Sequence, residues 1–361
     1  MYVTHFKPIN NYVTPQDYTL DFFCNTQNTQ LTTNYKKVTF KTEPERMQNI
    51  FNRNKQHYEN ILDTINTILQ PYKNINLNTL YTTFQIPKAS GGYRTIHAPK
   101  DNFKFALKEI TRLLKQLNIL EHESAYAYVE QRSPHTALLQ HKFNNSTHFL
   151  KVDFKDFFGS CKTEFVKNQL KKLFPITLLI NEQKYDTIIN DLVNVASLDG
   201  ALPQGSPLSP YLTNLVMVEF DYLLTNNLPK NFKYTRYADD LQISCDTSFD
   251  PNWVIKKIER TVKDTPLKIK PEKTRYGSNA GRNWNLGLMY NKDKNITIGY
   301  RQKQIFKSML FNLIHNQVHQ TKAQIRGIIS YYIAIEPDYI NYIIAKYNRK
   351  YNTNIYELLK N

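Results

Sequence analysis

Two adjacent aspartates, Asp239 and Asp240, stand in the middle of "NFKYTRYADDLQIS", a stretch otherwise suited to sheet. Tyr234, Tyr237 and Ala238 precede them, and Leu241 and Ile243 resume the extended pattern. Asp tolerates turn geometry and bonds its own backbone, so a hairpin turn is one reason for the pair. The other is a multiply positive occupant held at the tip of that hairpin. Both readings place a tight antiparallel hairpin in the middle of the chain, with acid at its turn.

A second acid-tipped strand precedes it. "FLKVDFKDFF" puts Asp153 directly after Phe149, Leu150 and Val152. If both strands lie in one sheet, Asp153 and Asp239 can face each other from adjacent strands. Carboxylates gathered in this way repel unless cations neutralise them, and their hard oxygens suit Mg²⁺. Two Mg²⁺ about 3.5–4 Å apart serve phosphoryl transfer by activating a hydroxyl and stabilising the leaving group. Aspartate is also common at strand ends, so spacing alone leaves metal binding and a turn role both open.

Charge narrows the partners. Lys and Arg number 47 against 31 Asp and Glu, a formal charge of +16, and a globular chain this basic attracts polyanions, nucleic acid first. The 25 Tyr and 20 Phe can stack on bases as well as fill a core. A solvated lysine-rich surface is the bland alternative. The three cysteines, Cys24, Cys161 and Cys245, form no CxxC pair, which argues against a disulfide framework and a structural zinc and fits a reducing cytoplasm. The amino-terminal stretch has no apolar core, so no secretory signal is expected. "GIISYYIAI" is too short to span a bilayer, so no membrane partner is expected.

Along the chain, residues 1 to about 40 carry no clear period. From Pro44 to Gln70, apolar residues including Tyr58, Ile61, Leu62, Ile65 and Leu69 recur at threes and fours, which predicts an amphipathic helix. "YTTFQIPKASGGYRTIHAPK" predicts a hairpin with a glycine turn. A helix follows with Asp101 as its N-cap. "TEFVKNQLKKLF" and "EQKYDTIINDLVNVAS" are helical in pattern, and "LPQGSPLSPYLTNLVMVEFDYLL" is a punctuated loop feeding one long apolar helix. A helix is expected near "PNWVIKKIERTVKD", then two short strands, "WNLGLMYN" and "ITIGYR". The last sixty residues or so are helical, with Pro337 at a helix start. Strands with interleaved helices and an all-helical end make the expected class α+β. His97, His141 and the other histidines have no ligand spacing, and structural roles are expected for them.

The ordered set "IPKASGGYRTIHAPK", "LKVDFKDFF", "LPQGSPLSPYLTNLV", "YTRYADDLQIS", "IKPEKTR" and "WNLGLMYN" resembles the bacterial reverse transcriptases over roughly residues 81 to 335. The resemblance implies a right-hand polymerase fold. An N-terminal extension, partly helical, would cover 1–80, fingers 81–150, a palm with an antiparallel sheet and helices 151–290, and a helical thumb 291–361. It implies an RNA-directed DNA polymerase using two Mg²⁺, an RNA template, dNTPs and a DNA product. Asp153, Asp239 and Asp240 would be the catalytic acids and, with the backbone carbonyl of Phe154, the metal ligands. Lys88 and Arg94 resemble the cations that hold the incoming triphosphate, Arg as a bidentate and Lys as a point contact. Phe158 matches the ring that excludes a 2′-hydroxyl. Gln204 and Gly205 resemble the loop lining nucleotide and template, and Lys273 the lysine near the leaving pyrophosphate. Leu286 and Gly287 fall in the segment that grips the primer end.

Within the family, "PQG" at 203–205 resembles most bacterial enzymes. Retron enzymes share this length and most of these motifs. Where they carry Asn-Ala-x-x-His and Val-Thr-Gly, this chain reads "SPHTALLQH" and "WNLGL". The resemblance therefore favours a stand-alone or small-operon enzyme of the abortive-infection or defence-associated group. The chain leaves no room after the thumb-like helices for a nuclease or integrase domain, so a self-sufficient mobile element is not expected. A dedicated non-coding RNA and a partner effector protein are expected. Untemplated or protein-primed DNA synthesis, and a non-catalytic RNA-binding module of polymerase fold, are the alternatives.

Overall fold

The computed structural model describes residues 44–360, except 89–90, 118, 120, 174–181, 279–283 and 292–293. The expectation of irregular structure before residue 40 lies outside the described residues. In chain order the elements are α1 (Pro44–Leu69), β1 (Tyr81–Pro87), β2 (Tyr93–Pro99), α2 (Asp101–Gln116), α3 (Pro134–Phe143) and β3 (His148–Asp153). Then come α4 (Phe157–Ser160), α5 (Thr163–Leu173), α6 (Glu182–Ala196), α7 (Ser209–Val216), α8 (Val218–Asn227), β4 (Phe232–Tyr237), β5 (Asp240–Cys245) and α9 (Pro251–Thr261). The remainder is β6 (Arg275–Ser278), β7 (Trp284–Asn285), β8 (Leu288–Tyr290), β9 (Ile296–Thr297), α10 (Gly299–Ile314), α11 (Lys322–Ile335), α12 (Pro337–Lys350) and α13 (Ile355–Leu358). The class is α+β, as expected.

The chain divides into two compact units. The first gathers the described residues up to Tyr128 with those of Phe154–Asn227 and Lys256–Ile269. Its core joins α1, α2, α5, α6 and α7 through residues such as Leu62, Ile65, Leu107, Ile110, Leu170, Leu192 and Leu212. Tyr58, Leu62, Ile65 and Leu69 repeat at helical spacing and are all buried, so α1 forms because one face of it can leave water. The β1–β2 hairpin also belongs to this unit, with Ile86 opposite Arg94.

The second unit gathers Val129–Asp153, Leu228–Ile255 and Lys270 onward. It holds a four-stranded antiparallel sheet in the order β4-β5-β3-β6 and a small sheet in the order β7-β8-β9. Its core runs from Leu138 and Phe149 through Leu288 and Tyr290 to Phe306, Leu310, Ile325, Ile329, Ile340 and Ile355 of the terminal helices. Buried Val152, Leu241 and Ile243 explain why β3 and β5 are central strands. Among the described residues no helix is long and apolar enough to cross a membrane.

Four local expectations are corrected. Lys100, not Asp101, occupies the N-cap of α2, and Asp101 is the first helical residue, where its charge meets the helix dipole. The single apolar helix after "SPLSP" is two, α7 and α8, meeting at buried Met217 with φ −87° and ψ −3°. "ITIGYR" is extended only at Ile296–Thr297, because Gly299, with φ +75°, breaks the extended path and opens α10. Finally, Asp240, not Asp239, is the register partner of Asp153. The β4–β5 turn absorbs Ala238 and Asp239, so β5 begins one residue earlier than a turn centred on the acid pair requires.

Candidate active site

The turn that carries the acids is strained. Tyr237 pairs with Asp240, leaving two turn residues, and Ala238 takes φ +56°. A left-handed conformation costs a non-glycine residue roughly 1–2 kcal/mol, and such strain concentrates at functional sites. Arg236, fully buried on β4, braces the turn by donating from Nη1 to the Ala238 carbonyl at 3.2 Å.

Strand register then sorts the side chains by face. Asp153 pairs with Asp240 and Lys151 with Gln242, and residues two apart on a strand share a face. Asp153, Lys151, Asp240 and Gln242 therefore line one side of the sheet. Asp153 is buried, and Lys273 Nζ, presented by the turn Pro271–Lys273, donates to its Oδ2 at 2.7 Å. Lys151 Nζ lies 3.1 Å from Asp240 Oδ1. The Lys151 ammonium is the charged donor that faces this buried oxygen.

The electrostatics show a site short of positive charge. Burial raises the Asp239 carboxyl above the ordinary carboxylate range, and the neighbouring charges of Asp153 and Asp240 push it further. Burial also raises Asp240, with Lys151 pulling it back. The Lys273 ammonium is held more basic than usual by its bond to Asp153.

Phe154 follows Asp153 and forms an antiparallel bridge with Ile269. The flanking bonds run from Lys270 N–H to the Asp153 carbonyl and from Lys155 N–H to the Lys268 carbonyl, and neither uses the Phe154 carbonyl. The Phe154 ring is buried against Phe157 and Phe220. In "DFF" the two rings divide: Phe157 is buried and Phe158 is partly exposed.

Other predicted residues gather in the first unit. Lys88 and Arg94 are exposed on the β1–β2 hairpin, whose turn closes with Lys88 N–H to the Gly92 carbonyl at 2.9 Å. Gln204 and Gly205 lie against the same hairpin. The Gln204 carbonyl accepts from His97 N–H at 2.8 Å, and a Cβ on Gly205 would stand 2.7 Å from the His97 carbonyl oxygen. With φ +118°, Gly205 is thus demanded by the close approach of this loop to β2. Leu286 and Gly287 form the two-residue turn of β7–β8 with φ +53° and +80°, the double left-handed geometry that suits hairpin twist.

Sequence reasoning did not single out Lys151 or Arg236. Lys151 had a signal, since it precedes Asp153 by two on a strand and so shares its face. The partner of Arg236 follows from the turn geometry and has no sequence signature.

The reverse transcriptase (RNA-dependent DNA polymerase) family profile matches residues 86–324. The chain belongs to the reverse transcriptase family. The matched span takes in the whole four-stranded sheet and the three acids at its end. The Mx162 retron reverse transcriptase of Myxococcus xanthus is 30% identical over 241 residues, covering 61% of this chain and 49% of that protein. The Ec73 retron reverse transcriptase of Escherichia coli is 29% identical over 281 residues, covering 74% of this chain and 86% of that protein. This reverse transcriptase therefore spans about half of the first relative and most of the second. Among solved structures, Candida tropicalis telomerase in complex with a telomeric RNA fragment aligns with a TM-score of 0.47 and 14% identity, over 75% of this chain and 55% of that one. That likeness is too loose to bear on the chemistry.

Proposed function

We propose that this chain extends a DNA strand on an RNA template by nucleotidyl transfer at the Asp153–Asp239 pair. The observation that carries the reading is the cluster itself. Three carboxylates stand at one end of the sheet, and two of them, Asp239 and Asp240, are raised by burial and by neighbouring carboxylates. Evolution has no stability reason to keep such a cluster.

The donor set fits magnesium, because it is all oxygen and carries excess negative charge. Asp153, Asp239, Asp240 and the Phe154 carbonyl would hold two ions, which would supply activation of the primer 3′-hydroxyl and charge neutralisation on the leaving pyrophosphate. Lys273 neutralises Asp153 and, on its flexible stem, can turn to the pyrophosphate. Lys88 and Arg94 bind the triphosphate of the incoming dNTP. Phe158 keeps a bulky ring where a 2′-hydroxyl would sit, so deoxynucleotides are chosen. Gln204 lines the nucleotide and template, and Gly205 lets its loop pack on the fingers hairpin. Leu286 and Gly287 hold the primer end.

We read residues 1–80 as an N-terminal extension, 81–150 as fingers, 151–290 as palm and 291–361 as thumb. The template is a dedicated non-coding RNA, the setting is cytoplasmic anti-phage defence, and a partner effector protein completes the system. The charge of +16 and the likeness to retron reverse transcriptases support this.

The test is to sequence nucleic acid that co-purifies with the wild-type protein and with Asp239→Asn. DNA complementary to one discrete RNA, absent from the variant, is the expected result. DNA of simple or random sequence would point to untemplated synthesis. No DNA from either would overturn the polymerase reading.

A further inference from the structure

A cavity of about 440 Å³ opens on the first unit, within the size range of small-molecule sites, and none of its lining residues has a part in the reaction above. Every lining residue belongs to that unit. Phe165, Gln169 and Lys172 reach it from one face of α5, spaced i, i+4 and i+7. Phe220 and Leu223 come from α8, and Val216 and buried Met217 from its junction with α7. The break in that apolar run thus serves as a cavity wall. Gln169 sets the cavity apart from a packing gap. It is 7% exposed, and its amide has no hydrogen-bond partner among the described residues. Unlike the amide of Gln242 it is not sealed in, so the cavity is the space it faces. An amide sets donors beside an acceptor, which matches the edge of a nucleobase, and the apolar walls suit the faces of such a ring. The mouth is mainly cationic, with Lys172, Lys257 and Arg260 against Glu219 and Asp264. Lys172 is paired with Glu219 at 2.8 Å, but exposed Arg260 has no ion-pair partner among the described residues. A guanidinium in that state suits a phosphate, which it can grip with two hydrogen bonds.

We propose that this cavity binds a phosphorylated nucleobase, its edge on the Gln169 amide, its ring among Phe165, Val216, Phe220 and Leu223, and its phosphate on Arg260. The residues differ from those that take the incoming dNTP, so this is a second nucleotide site, and it stands independently of the magnesium reading. Its wall also touches the reacting end of the chain's first unit. The Phe220 ring packs edge-on against Phe154, with centroids 5.6 Å apart. Leu267, also in the wall, leads into the segment that bridges Phe154 through Ile269 and receives Lys155 N–H on the Lys268 carbonyl. An occupant therefore presses on the two supports of Phe154, which gives it a way to alter synthesis.

The experiment titrates the full-length protein with AMP, GMP, CMP and UMP in turn by isothermal calorimetry, with a melting curve for each variant. One monophosphate is expected to bind once per chain, and inorganic phosphate far more weakly. Arg260→Ala should weaken that binding about 10-fold, the loss of a charge-assisted contact. Gln169→Leu should weaken it about 5-fold, the loss of a neutral hydrogen bond, without lowering the melting temperature. Lys88→Ala/Arg94→Ala should leave it unchanged. Tighter binding of a short RNA, weakened by the same two variants, would make a strand end the source of the nucleotide and still support the site. No monophosphate with a Kd below about 1 mM would overturn the inference. So would binding that falls in Lys88→Ala/Arg94→Ala and holds in Arg260→Ala, because the occupant would then be in the dNTP site. Arg260 is exposed, so its variant decides the matter even where Gln169→Leu fails to fold. Either failure leaves primer extension and its dependence on Asp239 as they were, so the polymerase reading falls only on its own test.

Discussion

The two ends of the four-stranded sheet treat buried polar groups in opposite ways. At the end farther from the turn, His141 of α3 is fully buried and satisfied on both ring nitrogens, Nδ1 to Ser244 Oγ at 2.6 Å and Nε2 to Thr235 Oγ1 at 2.8 Å. Ser244 in turn donates to Ser146 Oγ at 2.7 Å. At the β4–β5 turn, Asp239 and Asp240 are raised by burial and Ala238 is in left-handed geometry. One end closes its hydrogen-bond accounts within the protein and braces the fold. The other end leaves them open, which costs stability unless something from outside enters. The contrast separates a structural polar cluster from a functional one without reference to family.

The largest break in the comparison comes from neutralising an acid. Asp239→Asn should lower primer extension on an RNA template by on the order of 10³-fold or more, since it removes charge aimed at the reacting centre. The same change should stabilise the metal-free protein. Because the folded-state carboxyl is raised, its stabilising contribution is present below the unfolded carboxylate pKa and is lost as pH rises through the folded value. Above that folded value the cost is fully incurred, and Asn removes it. A higher melting temperature with lost activity is expected, and a lower one would remove the open end from the comparison.

At the closed end the sign reverses. His141→Ala leaves a cavity, takes the partner of the Thr235 hydroxyl and one of the two partners of Ser244, at a cost of roughly 3 kcal/mol. For units of this size that is on the order of 6–12 °C in melting temperature. Thermal unfolding with and without the substitution measures it, and a shift of a degree or less would mean the closed end does not brace the sheet.

Acid sharpens the same point. Burial pushes the His141 imidazole down to about 3 from 6.5, so it is neutral in the folded protein and charges on unfolding. Its contribution is full above the unfolded value and is lost as pH falls from 6.5 toward 3, with a slope of about 1.4 kcal/mol per pH unit. His141→Gln, which cannot titrate, should flatten the stability profile over that window. An unchanged slope would mean the imidazole is not held neutral.

How far these features were legible in the sequence depends on how local they are. The β4–β5 hairpin, β3 and its terminal acid, α1 and the helices after residue 298 are written in short-range periodicity, and they stand as read. Which aspartate faces Asp153 is not, because it depends on how many residues the turn absorbs, and Ala238 accepts a conformation that its side chain disfavours. Met217 and Gly299 likewise interrupt runs that look continuous in pattern. The partners of Lys151, Lys273 and His141 come from residues far away in sequence, so charge and spacing announce the residues but not the contacts. Gly205 is legible only as part of a loop, and the close approach to β2 that demands glycine there comes from the fold.

Gln242 marks the boundary between the two ends, and the smallest predicted effect concerns it. It sits on β5 between Asp240 and Ser244, pairs in register with Lys151 and with Thr235, and is almost fully buried. Neither Nε2 nor Oε1 has a hydrogen-bond partner. Replacing two unpaired polar atoms by an apolar group of similar shape removes a desolvation cost of about 1–2 kcal/mol, so Gln242→Met should raise the melting temperature slightly. A stable variant with reduced primer extension would assign the amide to the open end, as a group kept unpaired within the protein for use on substrate. A stable variant with full activity would make it a plain packing compromise between the ends. A fall in melting temperature would show that the amide is partnered after all, and would move the boundary of the closed end past Gln242 to the acids themselves.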